Sequence, residues 1–225
     1  MTAALWQPAL LSLKVALWAT AIDLVLGVAA GYALARWRSR LAALADALLA
    51  LPLVLPPTVL GYYLLVLLGR RGAFGAWLDD LGFNPVFTWQ GAVIAAALAA
   101  FPLVHKAARA AFENVDRQQE DAARVLGLTP LAVFVRVSLP LALRGIVAGA
   151  LLAFARALGE FGATLMLAGN LPGRTQTLSI AIYSAMEAGD DAGATALVLV
   201  ASLTCVIALL VASRLTRPRT PPRLA

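Results

Sequence analysis

Asp121-Ala122-Ala123, then Gly127 after three residues, then Val137-Ser138-Leu139-Pro140 after nine more, form the heart of a charged island, residues 113–140, set between two apolar segments of membrane length. The island carries its own helix punctuation. Asp116 is placed to cap a helix, with Gln119 three residues on in a capping-box arrangement, and Gly127 supplies a left-handed stop, so a short helix is expected over roughly 117–126. Thr129 before Pro130 starts a second helix, because threonine accepts an exposed backbone N–H and proline is tolerated at the first helical position. Leu139-Pro140 then launches the next apolar segment. Ala122 and Ala123 let another surface approach closely, and Glu120, Asp121, Arg117 and Arg124 offer polar fixing points around them.

Outward from the island the chain is a membrane protein. Its 225 residues are 61% hydrophobic and only 13% charged, more apolar surface than one water-soluble core buries. Residues 47–69, 81–104 and 192–213 contain no Asp, Glu, Lys or Arg, and each is long enough to cross roughly 30 Å of hydrocarbon at about 1.5 Å per residue. Leu10 to Ala35 and Leu141 to Ala168 are also membrane-length and carry internal charges. The fold class expected is therefore an all-α polytopic membrane protein with five transmembrane helices in one domain, 1–225, and a tail at 214–225.

The net charge of +6 does not point to nucleic acid, because the basic residues sit in short segments beside apolar spans. Arg36, Arg38, Arg40, Lys106, Arg109, Arg117, Arg124, Arg136, Arg144, Arg214, Arg217, Arg219 and Arg223 fall on one side. Arg70, Arg71 and Arg174 fall on the other, with Lys14 near that face. The positive-inside rule then places the N-terminus outside and the C-terminus in the cytoplasm. The first thirteen residues have no Lys or Arg and the apolar run continues to Ala35, so the first span is expected to be retained and not cleaved as a signal peptide.

Within the spans, Lys14 is expected to snorkel to the outer interface and Asp23 to face protein or water. Pro52, Pro56 and Pro57 each remove a backbone donor, so span two should bend or break, either as a structural kink or to line a path. The glycines and Asn84-Pro85 between residues 69 and 89 mark an external loop. His105 reads as an interfacial polar residue, since the chain has no second histidine, and the single Cys205 excludes an internal disulfide or a CxxC site.

The island resembles the EAA loop of ABC-importer permeases, whose pattern is Glu-Ala-Ala, three residues, Gly, nine residues, Ile, one residue, Leu-Pro. Here Asp121 stands in the Glu position, with Glu120 just upstream, and Val137 replaces Ile. The resemblance implies a cytoplasmic coupling-helix loop between spans three and four, with Glu120, Asp121, Ala122, Ala123, Arg124, Gly127, Leu139 and Pro140 at the ATPase contact. It further implies a homodimer of two permease copies in the bacterial inner membrane, a cytoplasmic ABC ATPase dimer and an external binding protein. No Gly-x-x-x-x-Gly-Lys-Ser/Thr loop occurs; Gly169 to Thr175 has the wrong spacing and Arg174 in place of Lys. No cofactor or metal is expected on this chain, no catalysis is expected of it, and ATP and Mg belong to the partner ATPase.

The residues from Leu51 to Gly61, Gly69-Arg70-Arg71-Gly72, and Phe154 to Thr164 are similar to those of molybdate permeases, and Gly159-Glu160-Phe161-Gly162-Ala163-Thr164 is shared with sulfate and thiosulfate permeases. A molybdate importer is the expectation, with a molybdate-binding protein as the external partner and sulfate, thiosulfate or tungstate as alternative cargo. An ion-coupled secondary carrier is a further alternative, though it leaves the island unexplained and no inverted repeat is evident. Pro56, Pro57, Arg156, Glu160, Thr164 and Ser179 are the candidate path or gate. Arg156 and Glu160, four residues apart, share a helix face and either pair with each other or leave Arg156 to meet an anion. Thr164, Asn170, Thr175, Thr177 and Ser179 are possible hydroxyl or amide donors to it.

Overall fold

The structure, a computed structural model, describes residues 2–37 and 39–216. Arg38, Arg217, Arg219 and Arg223, and with them most of the expected tail, lie outside the described residues, and Arg214 is described only in its backbone. The elements are α1 (Thr2–Arg36), α2 (Arg40–Val54), α3 (Pro57–Leu68), α4 (Gly75–Asp80), α5 (Trp89–Glu113), α6 (Arg117–Val125), α7 (Pro130–Val133), α8 (Leu139–Leu158), α9 (Gly162–Ala168), α10 (Leu178–Glu187) and α11 (Asp191–Thr216). No strand occurs among the described residues.

Among the described residues four helices are long and apolar enough to cross a membrane, and α2 with α3, bent by 110° at the break between them, pass the same test together and bring the candidate crossings to five when the pair is counted as one span. The five-span expectation is met, with span two as the bent one. The break falls where the prolines require it. Pro56 and Pro57 have no N–H to donate, and α3 restarts with Pro57 at its first position, where the missing donor costs nothing.

At the centre stands α5. Ala92, Ala95, Ala96, Ala99, Ala100 and Ala108 are all buried along it, and small side chains let neighbouring helices approach closely where lipid offers no hydrophobic drive for association. Both α1 and α8 use this. A Cβ placed on Gly31 would stand 2.8 Å from the Arg109 backbone nitrogen, and one on Gly149 would stand 2.5 Å from the Ala107 Cβ. These three helices pack against one another as the centre of the bundle.

Span four departs from expectation at both ends. Its helix does not begin at Leu139-Pro140; it runs from Pro130 to Leu158 as one membrane-length element. Pro140 is accommodated because the turn before it, Phe134–Ser138, is π-helical and the Leu139 N–H bonds the Phe134 carbonyl. Widening that turn relieves the ring's clash with the preceding carbonyls without ending the helix. At the far end the expected run to Ala168 is cut at Gly159–Phe161, and α9 is a separate short helix.

Candidate functional site

The island folds as its punctuation predicts. The Asp116 carboxylate accepts the Gln118 N–H at 2.9 Å, so the cap forms, although on the second residue of the turn instead of the third. Gly127 takes φ +87°, the Leu128 N–H reaches back to the Ala123 carbonyl at 3.2 Å, and α6 stops there. The Thr129 hydroxyl accepts the Ala132 N–H at 3.3 Å, and α7 begins at Pro130.

The two acids of α6 face opposite ways, and this corrects the picture of both as external fixing points. Asp121 points out, its side chain 66% exposed and paired with Arg124 at 2.5 Å. Glu120 points in and is 2% exposed. Its carboxylate is gripped by the Arg36 guanidinium at the end of α1 and accepts the Ser138 hydroxyl at 2.6 Å from the π-helical turn. Arg36 also reaches the Phe112 carbonyl at 3.4 Å. One buried carboxylate thereby ties α6 to α1 and to the turn before α8, and Arg36 carries the tie on to the end of α5.

The remaining surface of α6 is bare. Ala122 is exposed and Ala123 buried, and beyond them Val125, Leu126 and Leu131 are 87%, 82% and 72% exposed. Three large aliphatic side chains beside Asp121, Arg117 and Arg124 make an apolar patch with charged margins. Leu139 is half-buried and Pro140 exposed at the start of α8.

At the middle of the bundle the two helix breaks meet. A Cβ on Gly162 would stand 2.8 Å from the Pro57 Cβ, and one on Gly61 would lie 2.7 Å from the Met166 Cβ, so α9 rests on the first turns of α3 with nothing between. Pro56 itself is exposed beside this contact. Glu160 is 2% exposed and does two things: its Oε2 accepts Arg156 at 2.5 Å and its Oε1 accepts the Ala163 N–H at 2.9 Å. The carboxylate is thus both the partner of Arg156 and the N-terminal cap of α9. The pairing expected from the four-residue spacing is present; the capping was not foreseen. Arg156 stays 32% exposed in its side chain.

The expected hydroxyl donors divide. Thr175 is spent on its own loop, donating to the Gly169 carbonyl at 3.3 Å and accepting the Leu171 N–H at 3.1 Å. Asn170 bonds Ser184 and Gln176. Thr164 and Thr177 are buried with their hydroxyls unpartnered. Ser179 is set apart on α10, whose main packing partner is α11.

One cluster was missed. His105 is wholly buried, not interfacial, and its Nε2 meets Asp46 of α2 at 2.9 Å; Lys106 and Arg109 reach the same carboxylate at 2.5 and 3.0 Å. Asp46 lies fifty-nine residues from His105, and no local pattern announces the pairing. The cluster fastens α2, the first half of the broken span, to α5. Asp23 is buried in α1 as expected, 1% exposed.

Four membrane-length helices, one bent helix pair, a helix break facing it and a capped helix outside the bundle make up a polytopic membrane fold. It superposes on a chain of the MetNI methionine ABC transporter in its inward-facing form with a TM-score of 0.76, covering 98% of each chain at 18% identity. The chain belongs to the family of binding-protein-dependent transport system inner membrane components, whose model matches residues 24–220. Among its relatives, the molybdenum transport system permease protein ModB of Escherichia coli K12 is 46% identical over 94% of this chain and 93% of its own length. A putative molybdenum transport system permease of Bacillus subtilis is 44% identical over 83% and 82%. A probable sulfate transport system permease of Helicosporidium is 34% identical over 89% and 75%.

Proposed function

We propose that this chain is the permease subunit of an ATP-driven molybdate importer of a bacterial inner membrane, with the N-terminus outside and α6 in the cytoplasm. Two copies form the path, an external binding protein delivers the anion, and a pair of cytoplasmic ATPases supplies the energy from ATP and Mg. The observation that carries the reading is the 46% identity to the E. coli molybdenum permease over nearly the whole of both chains.

In this reading α6 and its apolar tip, Val125, Leu126 and Leu131, seat in a cleft of the ATPase, with Asp121, Ala122, Arg124 and Gly127 around them. When the ATPases close, α6 moves as a rigid body and Glu120 carries that movement to Arg36 and Ser138, hence to α1 and α8. The far end of α8 leads to Arg156, Glu160 and the α9 cap, which rests on Pro57. A shift of α8 therefore changes how the two helix breaks meet, and that contact is the gate. Thr164, on α9, adds a buried hydroxyl without a partner to the same region. Among the described residues the spans hold no tightly basic substrate cage; a path that receives cargo from a separate receptor works best with weak binding.

The test is uptake of labelled molybdate by cells expressing the transporter, with tungstate and sulfate as competitors. Displacement by tungstate and not by sulfate supports the molybdate reading. Uptake of sulfate in preference to molybdate moves the chain to the sulfate branch.

A further inference from the structure

At the end of the bundle away from α6, a hollow of about 470 Å³ is bordered by Lys14 of α1, Trp89 and Gln90 at the start of α5, and Arg174 and Thr175 of the loop after α9. No carboxylate lines it. The Lys14 ammonium rests 3.5 Å from the centroid of the Trp89 ring, and neither Lys14 nor Arg174 has an anionic partner among the described residues. Two cations from separate elements converge on a polar recess, at the first turn of a twenty-five-residue helix whose dipole also favours negative charge.

The hollow is not isolated. Trp89 and Gln90 also border a second, apolar groove of about 230 Å³, walled by Trp18, Ile22, Phe83 and Ile94. Trp18 and Ile22 follow Lys14 at four and eight residues along α1, on the same face, so the groove descends from the hollow toward the middle of the membrane for about 12 Å. Its rim is bare: Trp18 is 55% and Phe83 40% exposed.

A cationic recess toward the N-terminal end of the α1 span that opens into an apolar furrow running along that span has the two-part chemistry of a phospholipid. We propose that this seam between α1 and α5 is a binding site for an anionic phospholipid of the adjacent leaflet, with its phosphate between Lys14 and Arg174 and an acyl chain along Trp18 and Ile22. Free inorganic anions satisfy only the upper half of the site. The lipid bridges α1, α5 and the loop that follows α9, and so braces three elements at this end of the bundle.

The test is native mass spectrometry of the full-length chain in detergent, titrated with an equimolar mixture of phosphatidylglycerol and phosphatidylcholine. Phosphatidylglycerol is expected to be retained in preference, and Lys14→Gln with Arg174→Gln is expected to weaken it about thirtyfold, the change that about 1 kcal/mol for each basic residue gives. Arg174→Glu alone provides a second reading: the residue is exposed on a loop, so the fold is spared, and preference for the anionic lipid should vanish. Glycerophosphoglycerol, molybdate and phosphate, which lack acyl chains, should fail to displace the lipid at millimolar concentration. Displacement by any of these makes the hollow a free-anion site and overturns the proposal, as does unchanged retention in the charge variants.

Discussion

The Ser138 hydroxyl donates to the buried Glu120 carboxylate at 2.6 Å, joining α6 to the π-helical turn that precedes α8 across an eighteen-residue excursion of chain. Arg36 holds the same carboxylate from α1. Removing one member of a buried pair costs several kcal/mol, because the other charge stays behind without compensation. Arg36 is partly exposed, so Glu120→Ala is expected to cost about 2–3 kcal/mol, and Asp121→Ala, whose pair lies in solvent, about 0.5 kcal/mol or less. Thermal unfolding of the purified permease ranks the two; equal midpoints would contradict the inward tie.

Glu160 serves Arg156 and the α9 N-terminus together. Glu160→Gln keeps an oxygen for the Ala163 N–H and leaves Arg156 without its counter-charge, so transport is expected to fall several-fold, more than stability. Arg156→Gln with Glu160→Gln should recover part of the loss if the pair matters as a pair. No recovery in the double variant, with Arg156→Gln alone as damaging, would favour direct anion contact by Arg156.

Gly162 and Gly61 admit no methyl group without displacing Pro57 or Met166. Overpacking of this kind costs about 1–3 kcal/mol, and here it pushes the two helix breaks apart. Gly162→Ala is expected to lower molybdate uptake by at least about tenfold, the equivalent of about 1.4 kcal/mol, while the complex still assembles. Wild-type uptake in that variant would remove this contact from the gate.

Asp46 receives three cationic or imidazole partners. Asp46→Asn is expected to destabilise by about 2 kcal/mol through the buried His105 and the partly buried Arg109. Lys106→Gln, with the lysine half in solvent, should cost about 0.5 kcal/mol. Chemical denaturation of both variants separates the contributions, and a larger loss for Lys106→Gln would invert the account.

What the sequence disclosed follows from what is local in it. The Asp116, Gly127 and Thr129-Pro130 signals act within one helical turn, and each reappears at its place; the three prolines of span two foretold a bend because a missing N–H is a property of the residue itself. Arg156 and Glu160 share a helix face by spacing alone. Glu120 turning inward was not legible, since its partners Arg36 and Ser138 lie 84 and 18 residues away. Neither was Asp46, whose partners arrive from another helix. The extension of span four back to Pro130 escaped because proline at 140 reads as a helix start; a π-helical turn that absorbs it leaves no mark in composition.

The central claim is that this chain is driven through α6 by a separate motor. Vesicles should be reconstituted with the permease alone, with permease and ATPase, and with the Gly127→Asp permease and ATPase, each given binding protein, ATP and molybdate. Gly127 has open space around its Cβ position, so the substitution places a charge at the end of α6, where the proposal seats the ATPase, and costs the fold only the left-handed backbone strain of about 1–2 kcal/mol. Accumulation is expected only in the second preparation, with ATPase binding weakened in the third. Molybdate concentrated against a gradient by the permease alone would contradict the account.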